Sequence, residues 1–153
     1  MTGGTVVIEP MTIADLPRVL AIERVAFTSP WNEANFRHEI ESNPLAWNLV
    51  ARADGTVVAF ACAYIVADEL MINDLAVESS QRRLGLGSAL LRRLIEGARL
   101  RGCRRATLEV RPTNQAARAL YEAFGFFVVG HRPGYYADTG EDALLLACAL
   151  ASA

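Results

Sequence analysis

The segment Arg82-Arg83-Leu84-Gly85-Leu86-Gly87-Ser88 joins a strand-like run to a helix-like one. That placement has a chemical use. The first turn of a helix exposes backbone N–H groups without partners and a partial positive charge. Glycine has no Cβ, so the backbone there can approach an anion closely. Arg82 and Arg83 add formal charge, and the loop suits a phosphate or pyrophosphate. It is not a P-loop, because Gly-x-x-x-x-Gly-Lys-Ser/Thr does not occur. It also lacks the third glycine of a dinucleotide fingerprint. A bare Gly-x-Gly also marks ordinary helix starts, so the flanking residues must decide.

A second group of candidates lies downstream. In Thr107-Leu108-Glu109-Val110 the two-residue period puts Leu108 and Val110 on one face and Glu109 on the other. A carboxylate within a strand of the sheet is either partnered, for instance by Arg111, or solvated at an edge, or functional. Asn114, Arg118 and Tyr121 follow at i, i+4 and i+7 and share one helix face. Ala117, Leu120 and Phe124 share another, which is expected to face the core. His38 and His131 have no ligand partner at metal spacing, and no metal is expected.

These residues need elements to position them. The β-branched Val6-Val7-Ile8 reads as a first strand. Helices are expected over Thr12–Phe27 and Asn32–Ser42, separated by Ser29-Pro30-Trp31. Strands follow at Leu45–Arg52, Thr56–Ala67 and Leu70–Val77, the first two joined by an Asp54-Gly55 hairpin signal. A helix over Ser88–Arg101 carries Leu90, Leu91, Leu94, Ile95 and Ala98 on one face, and Gly102 can end it. Then come a strand at Ala106–Val110, a helix at Asn114–Phe124, and strands at Phe126–Gly130 and Asp142–Leu150. This β-α-α-β-β-β-α-β-α-β-β order predicts an α/β sandwich around one mixed sheet.

The chain has 153 residues, the size of one domain, and residues 1–153 are expected to form it. With 52% hydrophobic and 21% charged residues it is not a disordered chain. The longest predominantly apolar runs, Val57–Ala67 and Ala143–Ala153, are too short to span a membrane. Cys62, Cys103 and Cys148 include no Cys-x-x-Cys pair, which suggests reduced, buried thiols and a cytoplasmic setting. The net charge of -2 conceals segregation, and every basic side chain other than histidine is Arg. Residues 1–81 hold 4 Arg against 11 acids, residues 82–118 hold 10 Arg against 2, and residues 119–153 hold 1 Arg against 4. The basic stretch lacks the interleaved aromatics that nucleic-acid binding favours, so none is expected.

Several segments occur together in one register. Asp74-Leu-Ala-Val77 leads into Arg82-x-x-Gly85-x-Gly87; then come Leu108-Glu-Val-Arg111, Asn114, Leu120-Tyr-Glu122, Gly125-Phe126, Arg132, Tyr135-Tyr136 and Glu141-Asp-Ala143. Over roughly residues 5–150 the chain resembles the GNAT superfamily of acetyl-coenzyme A-dependent N-acetyltransferases. Within it the likeness is to the RimI-type family, the ribosomal-protein alanine N-acetyltransferases. The resemblance implies a single-domain fold with a mostly antiparallel mixed sheet of about seven strands flanked by about four helices.

The resemblance also implies site roles. The backbone of Leu75, Ala76 and Val77 pairs with the pantetheine arm of acetyl-CoA. Arg82, Arg83, Leu84, Gly85, Leu86, Gly87 and Ser88 hold its pyrophosphate, and Asn114, Arg118 and Tyr121 contact the coenzyme. Glu109 is the general base and Tyr121 the general acid. Tyr135 and Tyr136 border the acceptor, a basic ribosomal-protein N-terminus starting with alanine, with Asp74 and Glu109 on the same side; Trp31, read from its own setting after Ser29-Pro30, is either a core or rim aromatic or a further part of that border. Acetyl transfer needs a neutral amine and a proton for the leaving thiolate. An α-amine with a pKa of about 7.7–8.0 meets the first need more easily than Lys at about 10.4. A phenol of pKa about 10 can serve a thiolate whose acid has pKa about 8.5. Alternatives are acetylation of a small amine or of lysine side chains, or a non-catalytic acyl-CoA-binding module.

Overall fold

The computed structural model describes residues 5–27, 30–82 and 85–150. The strands are β1 (Val6–Pro10), β2 (Ala46–Ala53), β3 (Thr56–Val66), β4 (Glu69–Val77), β5 (Arg105–Val110), β6 (Phe127–Arg132) and β7 (Ala143–Ala149). The helices are α1 (Leu16–Ala26), α2 (Glu33–Glu41), α3 (Leu86–Leu100) and α4 (Gln115–Ala123). Their order along the chain is the expected one. The strands form one sheet ordered β1-β2-β3-β4-β5-β7-β6. β1/β2, β5/β7 and β6/β7 run antiparallel, whereas β4/β5 run parallel. This is an α/β fold with a mixed, mostly antiparallel sheet.

Local chemistry explains the boundaries. Asp54 and Gly55 both have positive φ, 51° and 85°, as a two-residue hairpin turn of the primed type requires. α3 starts two residues before the expected Ser88. Gly85 turns the chain at φ 79°, and the Ala89 amide donates to the Gly85 carbonyl at 2.9 Å, so Gly87 lies inside the first turn. At the other end Gly102 (φ 86°) donates to Arg99 O at 3.0 Å and Cys103 N donates to Ala98 O at 2.9 Å. That paired closure is a Schellman motif. Helix formation after β1 is delayed: Ile13–Asp15 is a 3-10 turn, and α1 begins at Leu16 with Pro17 in its first turn.

The chain divides into two compact units. One comprises the described residues up to Ala63 with Asp74–Arg93; the other comprises Tyr64–Asn73 and the described residues from Leu94 on. In the first, Phe36 and Phe60 meet edge to face at 5.7 Å, among Val19, Leu20 and Val50. In the second, β5 pairs with β7 from Arg105↔Ala149 to Val110↔Leu144, and Leu108, Val110 and Leu146 are buried. All three cysteines are buried and unbridged. No helix among the described residues is long and apolar enough to cross a membrane.

One buried acid closes the start of the first unit. Asp15 accepts from Thr12 N at 2.8 Å, Thr12 Oγ1 at 3.1 Å and Arg52 Nη2 at 2.7 Å. Burial pushes its carboxyl up, but the Thr12 and Arg52 bonds outweigh burial and hold it below the usual carboxylate range. A depressed native value stabilises the fold above the unfolded value of about 3.9 and loses that effect as pH falls through the native one. Asp15→Asn is expected to lower stability by about 1–3 kcal/mol at neutral pH. In urea unfolding the gap between variant and parent should close as the buffer is acidified.

Candidate active site

Glu109 sits on β5 opposite Leu145 of β7. Its neighbours Leu108 and Val110 are buried on the core face. Glu109 therefore projects from the other face, as the alternation required, with 25% of its side chain exposed. Arg132, the last residue of β6, brings Nε to 3.3 Å from Glu109 Oε1. The Tyr135 hydroxyl donates to the same carboxylate, and that bond, together with burial, raises the Tyr135 phenol above its ordinary value. Glu109 is thus partnered by a cation and a neutral phenol.

Arg111, the partner considered from sequence, turns elsewhere. Its guanidinium donates to Asp138 at 2.8 and 2.9 Å, to Glu141 at 3.3 Å and to Thr139 at 3.1 Å. It also lies 4.0 Å over the Tyr136 ring. Thr113 Oγ1 donates to Glu141 at 2.9 Å. The loop closes on itself through Tyr136 N to Glu141 O at 3.1 Å and Gly140 N to Tyr136 O at 2.8 Å. Arg111 thus straps the β6–β7 connection to the end of β5. Tyr135 and Tyr136 meet edge to face at 5.0 Å. Burial, with nearby Tyr135 and carboxylate charge, pushes Tyr136 up to about 12, against the pull of Arg111. Asp138 and Thr139 had no signal in the linear sequence, because the strap spans some thirty residues.

On α4, Asn114 is the N-cap, its Oδ1 accepting from Ala117 N at 3.2 Å. Arg118 Nη1 donates back to Pro112 O at 3.0 Å. Tyr121 corrects the expected helix faces. It is buried, 7% exposed, with its ring edge-on to Phe126 at 5.7 Å, whereas Ala117, Leu120 and Phe124 are half-buried. Spacing told which residues share a face but not which face turns inward. The large ring area of a tyrosine favours burial with the hydroxyl satisfied.

In the first unit, Ala76 is buried and Leu75 and Val77 half-buried at the end of β4. The pairing of β4 with β5 covers Glu69–Ile72, so these residues lie past it. Asp74 is buried, and the Leu75 amide donates to its carboxyl. Trp31 packs on Phe36 at 5.1 Å, and its amide donates to Glu23 Oε2 at 2.9 Å. Glu23, not singled out in the sequence, is buried on α1. Arg83 and Leu84 lie outside the described residues. Arg82 and Gly85 are exposed, and a Cβ added at Gly85 would meet nothing within 4 Å. The amides of Leu86, Gly87 and Ser88 precede the first α3 bond at Ala89. This open, positively charged helix start fits a pyrophosphate.

Residues 16–126 match the Acetyltransferase (GNAT) family. The chain belongs to that family, and it is an acetyl-CoA-dependent N-acetyltransferase. The ribosomal protein bS18-alanine N-acetyltransferase of Escherichia coli K12 is 38% identical over 142 residues, covering 92% of this chain and 95% of that one. The N-alpha-acetyltransferase RimI of Mycobacterium tuberculosis is 36% identical over 151 residues, covering 94% and 93%. The crystal structure of the ribosomal-protein-S18-alanine N-acetyltransferase from Escherichia coli superposes with a TM-score of 0.88 at 36% identity, over 97% of this chain and 96% of that one.

The Tyr135–Glu109 contact makes a direct prediction. In Glu109→Gln the Tyr135 phenol loses its charged acceptor, so it should titrate at lower pH than in the parent. The tyrosine ring-carbon resonance reports this, and an unchanged midpoint would show that the two groups do not interact.

Proposed function

We propose that the protein acetylates the α-amine of an N-terminal alanine, and that its acceptor is the ribosomal protein bS18 specified in the names of its relatives. The observation that carries this reading is Glu109: a partly open carboxylate on the non-core face of β5, held beside Tyr135 and Arg132. Acetyl-CoA supplies the thioester carbonyl to which the amine adds. Arg82 and the α3 start, from Gly85 to Ser88, hold the pyrophosphate, with Arg83 and Leu84 in the same loop. The Leu75–Val77 backbone pairs with the extended arm, and Asn114 and Arg118 contact the coenzyme.

Glu109 accepts the proton of the attacking amine, and Tyr121 holds a proton at Oη for the leaving group. Tyr135, Tyr136, Trp31 and Asp74 border the acceptor. An α-amine suits a single carboxylate base. Neutralising Lys at neutral pH costs roughly 3–4 kcal/mol more. The acidic residues 1–81, 11 acids against 4 Arg, favour a cationic acceptor. A ribosomal-protein acceptor places the reaction in the cytoplasm, and neither nucleic acid nor membrane is a partner in it.

The test is thiol release with acetyl-CoA and a basic peptide that begins with alanine. Glu109→Gln and Tyr121→Phe should each lower kcat by about 10²–10⁴-fold while coenzyme affinity is retained. A peptide with a blocked N-terminus and free lysines should not react. Equal turnover of the blocked peptide would refute the α-amine assignment. Tight coenzyme binding without turnover of any amine would make the protein a binding module.

A further inference from the structure

One group of titratable side chains in the first unit joins the acceptor border, at Asp74, to a buried acid with no assigned role. Glu23 on α1 is 2% exposed and Asp74 on β4 is 8% exposed. Their carboxyl groups share a hydrogen bond. One oxygen of each, Glu23 Oε1 and Asp74 Oδ2, is buried and meets no N–H or hydroxyl donor. The other Glu23 oxygen, Oε2, accepts from the Trp31 amide at 2.9 Å. Among the described residues no cation pairs with either carboxyl.

The titratable groups around them do not help. Glu39 of α2 is buried too, and its carboxylate accepts from Asn43 Nδ2 at 2.9 Å. The Cys62 thiol of β3 is pushed well up by burial and then by Asp74, Glu39 and Glu23. Two carboxylates cannot both carry charge in such a place. Asp74 keeps the proton and donates it to Glu23. Burial first, and the bond to Glu23 second, hold Asp74 well above the usual carboxylate range.

We propose that Glu23 and Asp74 form a one-proton pair whose task is to position Trp31 and the chain entering α2 at the acceptor border. Glu23 is then a positioning residue, acting through the Trp31 amide, and the assignment rests on reading Trp31 as part of that border. While the proton is present, Asp74 holds Glu23, and Glu23 holds Trp31. When it leaves, two like charges face each other. Glu23 moves away and the Trp31 contact loosens. Because the native value is raised, the lock is complete on the acid side and fails as pH rises through that value.

Asp74→Asn supplies a permanent donor in place of the shared proton, so it should keep the lock at every pH. The amide resonance of Trp31 in the free enzyme is followed by NMR as the pH is raised from the ordinary carboxylate range to the alkaline limit of the folded protein. It should shift in one step in the parent and show no step in Asp74→Asn. Across that step the parent's own KM for the alanine peptide should rise about tenfold, the worth of one good hydrogen bond, with KM for acetyl-CoA unchanged, whereas the KM of Asp74→Asn, whatever its starting value, should not change with pH over the same range. Glu23→Ala should raise the acceptor KM at all pH values with kcat retained, and Glu23→Gln, which can still accept from Trp31, should restore it. The same step in Asp74→Asn, or no step in the parent, overturns the proposal. The resonance needs no turnover. A step present only in the parent, alongside a peptide that is not acetylated, would sustain the pair and refute the functional reading instead.

Discussion

Arg111 is the interaction on which the candidate site depends. It follows β5 directly and lies two residues beyond Glu109, so strand alternation puts both on one face. A guanidinium with 18% exposure must be matched by anions, and Asp138 and Glu141 supply them from the β6–β7 connection. Its flat face covers Tyr136, which sets the loop's tilt as well as its distance. Tyr135 precedes Tyr136, so fixing one ring carries the other onto Glu109. The neutral phenol beside the carboxylate is thus a consequence of an ion-pair network one step removed. Lysine could not do this work, since one ammonium offers no plane to stack and no fork to share among three partners.

The protein handles buried carboxyl groups in two opposite ways. Glu109 and Asp15 each have an arginine, and each stays in contact with donors suited to a charged oxygen. Glu23 and Asp74 have each other instead, and among the described residues the donors to them are the backbone amides of Trp31 and Leu75. The first arrangement sets a cation beside the carboxylate, at a partly open position for Glu109 and a buried one for Asp15. The second suppresses one charge of a pair in a closed place. These are different uses of the same functional group, and only their partners distinguish them.

Much of the fold was legible because it rests on local rules. Alternation, the Asp54-Gly55 turn and the glycine at position 102 act over a few residues, and every element appears in the expected order. The misplaced boundaries have local causes as well. Gly85 rather than Gly87 makes the turn into α3, and the Thr12–Asp15 bonds form a 3-10 turn where an α-helix was expected. The site was less legible because its contacts are long-range. Glu109 was found from its break in an apolar pattern, but Arg132 as its partner and Asp138 as the partner of Arg111 depend on β6 and β7 folding back. Tyr121 shows a different limit. Its helical spacing was read correctly and its environment was not, because a stripe shared with Asn114 and Arg118 need not be a polar face.

The charge segregation also takes a different meaning once contacts are known. Ten arginines in residues 82–118 suggest a broad basic surface. Arg111 is neutralised by Asp138 and Glu141, whereas Arg118 bonds the uncharged Pro112 carbonyl. Arg92, Arg99 and Arg101 also have partners. Charge neutralised by a neighbour contributes little field at a distance, so Arg111 adds little to what an anion would meet. Arg82 is exposed beside the open start of α3. There its charge adds to a helix terminus whose amides are oriented outward. The basic stretch therefore holds a local anion site at the α3 start and a structural clamp at Arg111. That suits a compact polyphosphate on a small ligand, which would meet the α3 start and Arg82 together.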